Sequence, residues 1–200
     1  MKKALIIFVR QPEKGKVKTR LAATLGEDKA LAIYIELLKH TQKISSAATA
    51  DKFVFYAGQI PENDLWSMPG FTKRLQNELD LGGKMKEAFS VLFEEGYGKI
   101  VIIGSDCLEL STEIIEQAFN LLDEKEVVIG PASDGGYYLL GMKKLWPFIF
   151  ENKQWSTANV FEQTLSDLKK VKIPYSELIT LADIDTEEDW NNYKQAYHVL

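Results

Sequence analysis

Short apolar runs alternate with longer amphipathic stretches along the chain. Four runs are typical of buried strands, because apolar side chains fill them between charged or glycine-containing boundaries. They cover residues 4–9, 53–57, 100–103 and 127–129. A fifth run, residues 137–140, is expected to be antiparallel or to lie at an edge of the sheet.

Between these runs, apolar residues recur at helical spacing. The pattern predicts helices over residues 27–46, 83–95, 111–122 and 157–168, and a last helix that begins at Thr186. Ser111 and Asp185 are expected to cap the third and the last of these helices. Strands that alternate with helices imply an α/β fold with a mostly parallel central sheet flanked by helices. A length of 200 residues predicts one domain, 1–200.

The apolar runs also limit where the protein resides. The longest, residues 4–9, is too short to span a bilayer, so no membrane span is expected. It leads into Arg10 without the small-residue cleavage site of a signal peptide. We therefore interpret it as a first strand and expect a cytoplasmic protein.

Charge is distributed unevenly along the chain. The net charge is −5, which argues against nucleic acid as a partner. Residues 10–20 nevertheless contain five cations and a single acid, Glu13. A basic loop on an acidic protein is a candidate anion site. A solvated charged loop is the alternative interpretation.

Few residues are available for soft metals or thiol chemistry. The single cysteine, Cys107, excludes an intrachain disulfide and a multi-cysteine zinc site, and we expect it to be buried rather than nucleophilic. The two histidines, His40 and His198, lie in predicted helices far apart in sequence. A cation that prefers oxygen ligands, Mg²⁺ or Mn²⁺, is still possible because the chain has 29 aspartates and glutamates.

Polar segments follow three of the predicted strands. They are the basic loop 10–20, residues 104–107 and residues 130–136. Because ligands bind at the carboxyl ends of the strands in such sheets, the basic loop should face Asp106 and Asp134 across one crevice. That arrangement suits a pyrophosphate held between cations and a divalent metal. The alternative is structural: Asp106 and Asp134 in turns, and Asp185 as a helix cap.

The basic loop matches no generic phosphate motif. Gln11 stands where the first glycine of a Walker A loop should be, and Val17 follows Lys16 in place of Ser or Thr. A GxGxxG dinucleotide motif is absent as well. The sequence thus disfavours P-loop ATPases and dinucleotide dehydrogenases.

Five segments, in order, carry a more specific signal. They are residues 8–21 (FVRQPEKGKVKTRL), 103–107 (IGSDC), 130–141 (GPASDGGYYLLG), 155–157 (WST) and 183–189 (DIDTEED). They resemble the signatures of bacterial glycosyltransferase-A-type nucleotide-diphospho-sugar transferases, some of which are assigned to arsenosugar biosynthesis. The sugar-nucleotide pyrophosphorylases are more distantly similar. Two departures are Leu108, where the family has proline, and Gly83, where it has an acid.

The resemblance implies a nucleotide-binding site with a set of residue roles. Asp106 would ligate Mg²⁺ or Mn²⁺, and Asp185 would complete the metal site. Lys18 and Arg20 would hold the diphosphate, and Asp134 would be a second metal ligand or the base for the acceptor hydroxyl. In these roles, Gln76 would lie near the base, Gly135 and Gly136 would allow close approach of the sugar, and Trp155 would stack on an acceptor. The full set of implied nucleotide- and sugar-binding residues is Arg10, Gly15, Lys18, Arg20, Gln76, Gly82, Lys84, Gly135, Gly136 and Trp155.

Three functions remain open at this point. The first is metal-dependent glycosyl transfer from a nucleotide sugar to an unknown small-molecule acceptor. The second is nucleotidyl transfer with release of pyrophosphate, which the basic loop would suit at least as well because a triphosphate carries more charge. The third is a nucleotide-binding module without turnover.

Overall fold

The computed structural model describes residues 1–197, and one seven-stranded sheet runs through them. The strands are β1 (Lys3–Arg10), β2 (Asp51–Ala57), β3 (Phe71–Leu75), β4 (Lys99–Ile103), β5 (Val127–Pro131), β6 (Tyr137–Met142) and β7 (Tyr175–Glu177). They are ordered β3-β2-β1-β4-β6-β5-β7. Pairing is parallel, apart from β6, which runs antiparallel to β4 and β5. The predicted α/β fold is confirmed; His198 lies outside the described residues.

Helices cover both faces of the sheet. One face carries α1 (Thr19–Leu25), α2 (Glu27–Ala47), α4 (Thr112–Leu121) and α6 (Glu187–Tyr197). The other carries α3 (Leu81–Glu94), a 3₁₀ turn (Pro147–Phe150) and α5 (Val160–Val171). None of the helices within residues 1–197 is long and apolar enough to cross a bilayer.

The alternation of side chains explains why the strands read as continuous apolar runs. In β1, Leu5 and Ile7 pack toward α2, whereas Ala4 and Ile6 pack toward α3. All four side chains are fully buried. A strand covered on both faces needs apolar residues at every position, so period-two patterning disappears.

Strand β6 is antiparallel, as one of its two sequence interpretations predicted, but it lies inside the sheet between β4 and β5. Four elements were not predicted: α1, β3, β7 and the 3₁₀ turn. Strand β3 is half-buried at the sheet edge and contains Lys73 and Arg74, so it lacks an apolar run. Helix α1 has only seven residues, and β7 only three.

The helix caps confirm one prediction and correct another. The Ser111 side chain accepts a hydrogen bond from the Ile114 amide, so Ser111 caps α4 as predicted. The predicted cap at Asp185 is wrong. Thr186 Oγ1 accepts from the Asp189 amide at 3.2 Å, and the Asp189 carboxylate accepts from the Thr186 amide at 2.7 Å. This reciprocal pair caps α6 and leaves the Asp185 side chain outside the helix.

Candidate functional site

Lys18 occupies the centre of a carboxylate cluster at the carboxyl ends of the strands. It lies at the N-terminal end of α1 in a left-handed backbone conformation, with φ of 49°. Its ammonium nitrogen lies 3.1 Å from Asp106 Oδ1 and 3.0 Å from Asp185 Oδ1. The Lys18 side chain is only 5% exposed, while those of Asp106 and Asp185 are 45% and 48% exposed. The ammonium is therefore buried beneath two carboxylates that face solvent.

The charges in this cluster keep Lys18 protonated. Burial alone would lower the pKa of Lys18, but the charges of Asp106 and Asp185 outweigh burial and raise that pKa above its ordinary value. Arg20 adds a second cation, since its Nη1 lies 3.2 Å from Asp185 Oδ2. Asp185 is thus held between a buried lysine and an exposed arginine.

The segment after β7 brings Asp185 to this edge. The Leu178 amide donates to the Ile129 carbonyl at 2.8 Å, and the Leu181 amide donates to the Pro131 carbonyl at 3.1 Å. The Ile184 amide then donates to the Asp106 carbonyl at 2.8 Å. The chain therefore runs beside the end of β5 and crosses to the end of β4, which fixes Asp185 against Asp106.

Asp183 is a member of the cluster that sequence reasoning missed. Burial, together with the negative charges of Asp106 and Asp134, raises the pKa of the Asp183 carboxyl to about 7. In the sequence, Asp183 appeared only as a motif residue, and its spacing gave no sign of burial. The cluster therefore extends from Asp185 through Asp106 and Asp183 toward Asp134.

The Asp134–Gly136 turn joins β5 to β6 at the same edge. Asp134 Oδ1 accepts a hydrogen bond from the Gly136 amide at 2.8 Å. Gly135 has φ of 88°, and a Cβ atom there would lie 2.0 Å from the Ala158 carbonyl oxygen. The sequence predicts glycine here because a sugar must approach closely. The structure gives a second reason, because the Ala158 backbone occupies the space that a side chain on residue 135 would need. At Gly136 a Cβ would meet nothing nearer than Asp134 Oδ1, at 3.2 Å.

Gly82 and Trp155, two more of the predicted site residues, contact each other. A Cβ atom on Gly82, in the first turn of α3, would lie 2.3 Å from Trp155 Nε1. The glycine therefore makes room for the indole. The Tyr137 ring lies perpendicular to the indole, with ring centroids 6.4 Å apart. Trp155 is half-buried, so one part of its ring remains available to a ligand.

The basic loop does not form the collective cationic face that its composition suggested. Lys14 pairs with Asp28 at 2.6 Å, and Lys16 pairs with Glu13 at 2.6 Å. Two more cations, Lys18 and Arg20, pair with the carboxylate cluster as described above. Four of the five cations in the loop therefore have acidic partners within the protein. This corrects the prediction that the loop presents its cations together as one anion site.

Other predicted residues lie apart from the cluster. Gln76 Nε2 donates to the Phe55 carbonyl at 2.9 Å, and Gly15 packs beside the Glu27 side chain. Within residues 1–197, no hydrogen bond or ion pair joins the side chains of Arg10, Gln76 or Lys84 to the cluster. Their predicted binding roles remain predictions.

Tyr34, in α2, holds the end of β1 in place. Its hydroxyl accepts from the Arg10 amide at 3.0 Å and donates to the Arg10 carbonyl at 3.1 Å. The sequence presents Tyr34 only as one residue on a helix face. Cys107 is buried, and burial raises the pKa of its thiol to about 12, in agreement with the expectation that it is not a nucleophile.

The chemistry of the cluster fits Mg²⁺ or Mn²⁺. Asp106 and Asp185 present oxygen donors that converge on one nitrogen, and oxygen is the donor that these cations prefer. No group of three ligating side chains within residues 1–197 surrounds a common point. Mg²⁺ is commonly held by one or two carboxylates together with substrate phosphates, and Asp106 and Asp185 are two carboxylates placed for that role.

Comparison with known structures supports the fold and relates the chain to one protein more closely. A crystal structure of a candidate nucleotide-diphospho-sugar transferase from Desulfovibrio desulfuricans G20 is 32% identical, with a TM-score of 0.91 over 100% of this chain and 89% of that one. No protein of curated description matches the chain.

Two more distant structures share the fold. A Mycobacterium tuberculosis H37Rv protein in complex with manganese is 11% identical, with a TM-score of 0.60 over 98% of this chain and 100% of that one. The 4-diphosphocytidyl-2C-methyl-D-erythritol synthase of Anaerococcus prevotii is 12% identical, with a TM-score of 0.62 over 98% and 96%. Residues 40–157 match the family described as "Uncharacterized protein conserved in bacteria (DUF2064)", and the chain belongs to that family.

Proposed function

We propose that the protein is a metal-dependent glycosyltransferase that takes a sugar from a nucleotide-diphosphate donor and passes it to a small-molecule acceptor. The observation that carries this proposal is the convergence of Asp106 and Asp185 on the Lys18 ammonium at the carboxyl ends of the strands. Ligands of open α/β sheets bind at this edge. The 32% identical relative described as a candidate nucleotide-diphospho-sugar transferase supports the choice of donor.

Each residue of the cluster has a distinct task in this proposal. Asp106 and Asp185 hold Mg²⁺ or Mn²⁺, which when bound neutralises negative charge on the departing nucleoside diphosphate. Lys18 and Arg20 contribute the cations that hold the diphosphate oxygens. Arg20 is suited to this task because its guanidinium is 73% exposed at the rim of the cluster.

Asp134 and Trp155 act on the acceptor side. The hydrogen bond from the Gly136 amide fixes one carboxylate oxygen of Asp134, and the carboxylate can accept the proton of an acceptor hydroxyl. The Trp155 indole, supported by Gly82 beneath it, offers an aromatic face to a sugar or to the acceptor. Gln76 is proposed to contact the nucleotide base, and Lys84 to contact the nucleotide or the sugar.

The ion pairs of the basic loop bear on nucleotidyl transfer, the main rival function. Five unpaired cations would have suited a triphosphate, but Lys14 and Lys16 are paired with Asp28 and Glu13. These exposed ion pairs weaken the argument from loop charge for the rival. The two reactions still differ in product, since glycosyl transfer releases a nucleoside diphosphate and nucleotidyl transfer releases pyrophosphate.

A thermal-shift screen tests the proposal. Nucleoside mono-, di- and triphosphates and nucleotide sugars are compared with and without Mn²⁺. A ligand at about 100 times its Kd should stabilise the fold by roughly 2.7 kcal/mol. Asp106→Asn should abolish the metal-dependent part of the shift, whereas the matched control Asp28→Asn, whose side chain is 86% exposed in the first turn of α2, should retain it.

The products then decide between the functions. Stabilisation by one nucleotide sugar, followed by release of the nucleoside diphosphate, is the result we expect. Stabilisation by a triphosphate with release of pyrophosphate would replace the proposal with nucleotidyl transfer. A metal-dependent shift without any turnover of the stabilising ligands would support a binding module, and no shift with any nucleotide would refute all three functions.

A further inference from the structure

The position of Lys18 creates a conflict with a bound metal. Its ammonium lies within 3.1 Å of one oxygen from each of Asp106 and Asp185, which are the two carboxylates proposed to hold the cation. Mg²⁺ ligation requires carboxylate oxygens at about 2.0–2.1 Å from the ion. The ion and the ammonium would therefore be neighbours of like charge on the same pair of carboxylates.

We propose that Lys18 is an internal counter-ion that competes with the divalent cation. The cation displaces the Lys18 ammonium from Asp106 and Asp185, and the displaced ammonium then binds the phosphates of the nucleotide. The inference rests on the proposed function for its metal and its nucleotide. It adds that Lys18 has two positions and that the metal selects between them.

The electrostatics of the cluster supply the driving force for displacement. Coulomb repulsion between a divalent ion and an ammonium is strong at contact distance, and it is poorly screened when the lysine is buried. Lys18 is 5% exposed, so water screens it little. Arg20 is different, because it contacts only the other oxygen of Asp185 and is 73% exposed. Arg20 can therefore stay in place while Lys18 leaves.

The backbone and side chain of Lys18 are consistent with a residue held by its ion pairs. Its φ of 49° lies in a region that residues other than glycine seldom adopt, and no side-chain cap hydrogen bond is formed at this helix end. Asp106 and Asp185 are about half exposed, so the way out for the ammonium leads toward solvent. A flexible four-carbon stem allows that movement.

Metal affinity in the absence of nucleotide provides the first test. Binding of Mn²⁺ alone is measured by titration calorimetry for the wild type, Lys18→Met and Lys16→Met. Lys16→Met is the matched control, because it removes one positive charge from the same loop but from a side chain that is 73% exposed. Lys18→Met should bind Mn²⁺ at least about tenfold more tightly than the wild type, equivalent to about 1.4 kcal/mol. Lys16→Met should match the wild type.

Lysine accessibility in the wild type provides the second test, which does not depend on a variant that folds. The protein is acylated with an amine-reactive ester, and the labelling rate of each lysine is read by peptide mass spectrometry. Lys18 should be protected in metal-free buffer and should become reactive when Mg²⁺ saturates the site. Lys16 should label at one rate in both conditions.

The outcomes separate this inference from the proposed function. Tighter Mn²⁺ binding by Lys18→Met, or binding by that variant alone, supports the competition. Equal or weaker binding by Lys18→Met would overturn the inference and leave the transferase proposal intact. An unchanged Lys18 labelling rate in wild-type protein that calorimetry shows to be saturated with metal would do the same. If neither the wild type nor Lys18→Met binds Mn²⁺, the metal assignment fails and the inference fails with it. If Lys18→Met does not fold, the labelling result decides.

Discussion

Gly135→Ala should destabilise the protein by about 3 kcal/mol. The new Cβ would lie 2.0 Å from the Ala158 carbonyl oxygen and 2.5 Å from its carbon, so the backbone itself must move. Overpacking of this kind costs about 1–3 kcal/mol. The φ of 88° adds about 1–2 kcal/mol for a residue with a Cβ. Because the Phe161 amide donates to the Gly135 carbonyl at 2.9 Å, the shift also reaches the start of α5.

Two other glycines separate the components of this loss. Gly58 has φ of 93° and no atom within 4 Å of a Cβ, so Gly58→Ala should show the conformational cost alone, about 1 kcal/mol. Gly104 has neither a positive φ nor a near neighbour. Gly104→Ala should therefore lose no stability.

Urea unfolding and thermal melts of the three variants make the measurement. For a chain of this size, 3 kcal/mol corresponds to a fall in Tm of about 6–12 °C, and 1 kcal/mol to about 2–4 °C. The expected order of stability is Gly104→Ala, then Gly58→Ala, then Gly135→Ala. If Gly135→Ala and Gly58→Ala melted together, the contact between residue 135 and Ala158 would be refuted.

Three further predictions follow from single contacts. Asp106→Asn should still fold, because Asp185 stays 3.0 Å from the buried Lys18 ammonium as its carboxylate partner. It should weaken Mn²⁺ binding by about 100-fold or more in calorimetry, and undiminished binding would contradict its role as a ligand. Thr186→Ala should lower the free energy of unfolding in urea by about 1 kcal/mol, since the Thr186 hydroxyl caps α6. The control Thr180→Ala, at an exposed position, should change it by almost nothing. Equal losses would argue against the cap. Asp167→Asn should lose about 2 kcal/mol at pH 7, because the Lys153 side chain, 1% exposed and 2.7 Å away, is left buried without its partner. Burial acts to raise the pKa of the Asp167 carboxyl, but the ion pair with Lys153 outweighs burial. The pKa of Asp167 therefore lies below its ordinary value. The Asp167 contribution is therefore present above the unfolded pKa of about 4 and is lost as the pH falls through the lower folded pKa. In urea unfolding, the difference between Asp167→Asn and the wild type should shrink as the pH is lowered below about 4.

The sequence predicted the parts of the fold that depend on local apolar content. Central strands such as β1 and β4 are apolar at every position because both of their faces are covered. Strand β3 could not be found in this way. Its Arg74 lies over the Phe53 ring, with the guanidinium carbon 4.6 Å from the ring centroid, and pairs with Glu95. A strand stabilised by such contacts at a sheet edge has the composition of a loop.

The candidate site was predictable only in part, for a different reason. Asp106 follows directly from a strand end, so the rule for open α/β sheets identifies it. Asp185 came from family resemblance, because nothing local marks a carboxylate whose partner is 167 residues away. The sequence also showed the cations of the basic loop but not their pairing with acids such as Asp28. Charge composition gives the number of cations, and only the fold determines which of them remain unbalanced.

The long separation between Lys18 and Asp185 has a consequence for how the protein matures. During synthesis, β1 to β6 and the helices between them can assemble on the ribosome before Asp185 has emerged. Lys18 would then face Asp106 alone, and the cluster would gain its second carboxylate only when the segment after β7 docks and Trp190 enters the core. Contacts so distant in sequence form late in folding. We therefore expect cation binding to appear as the final event of biogenesis, after the sheet has become resistant to proteolysis.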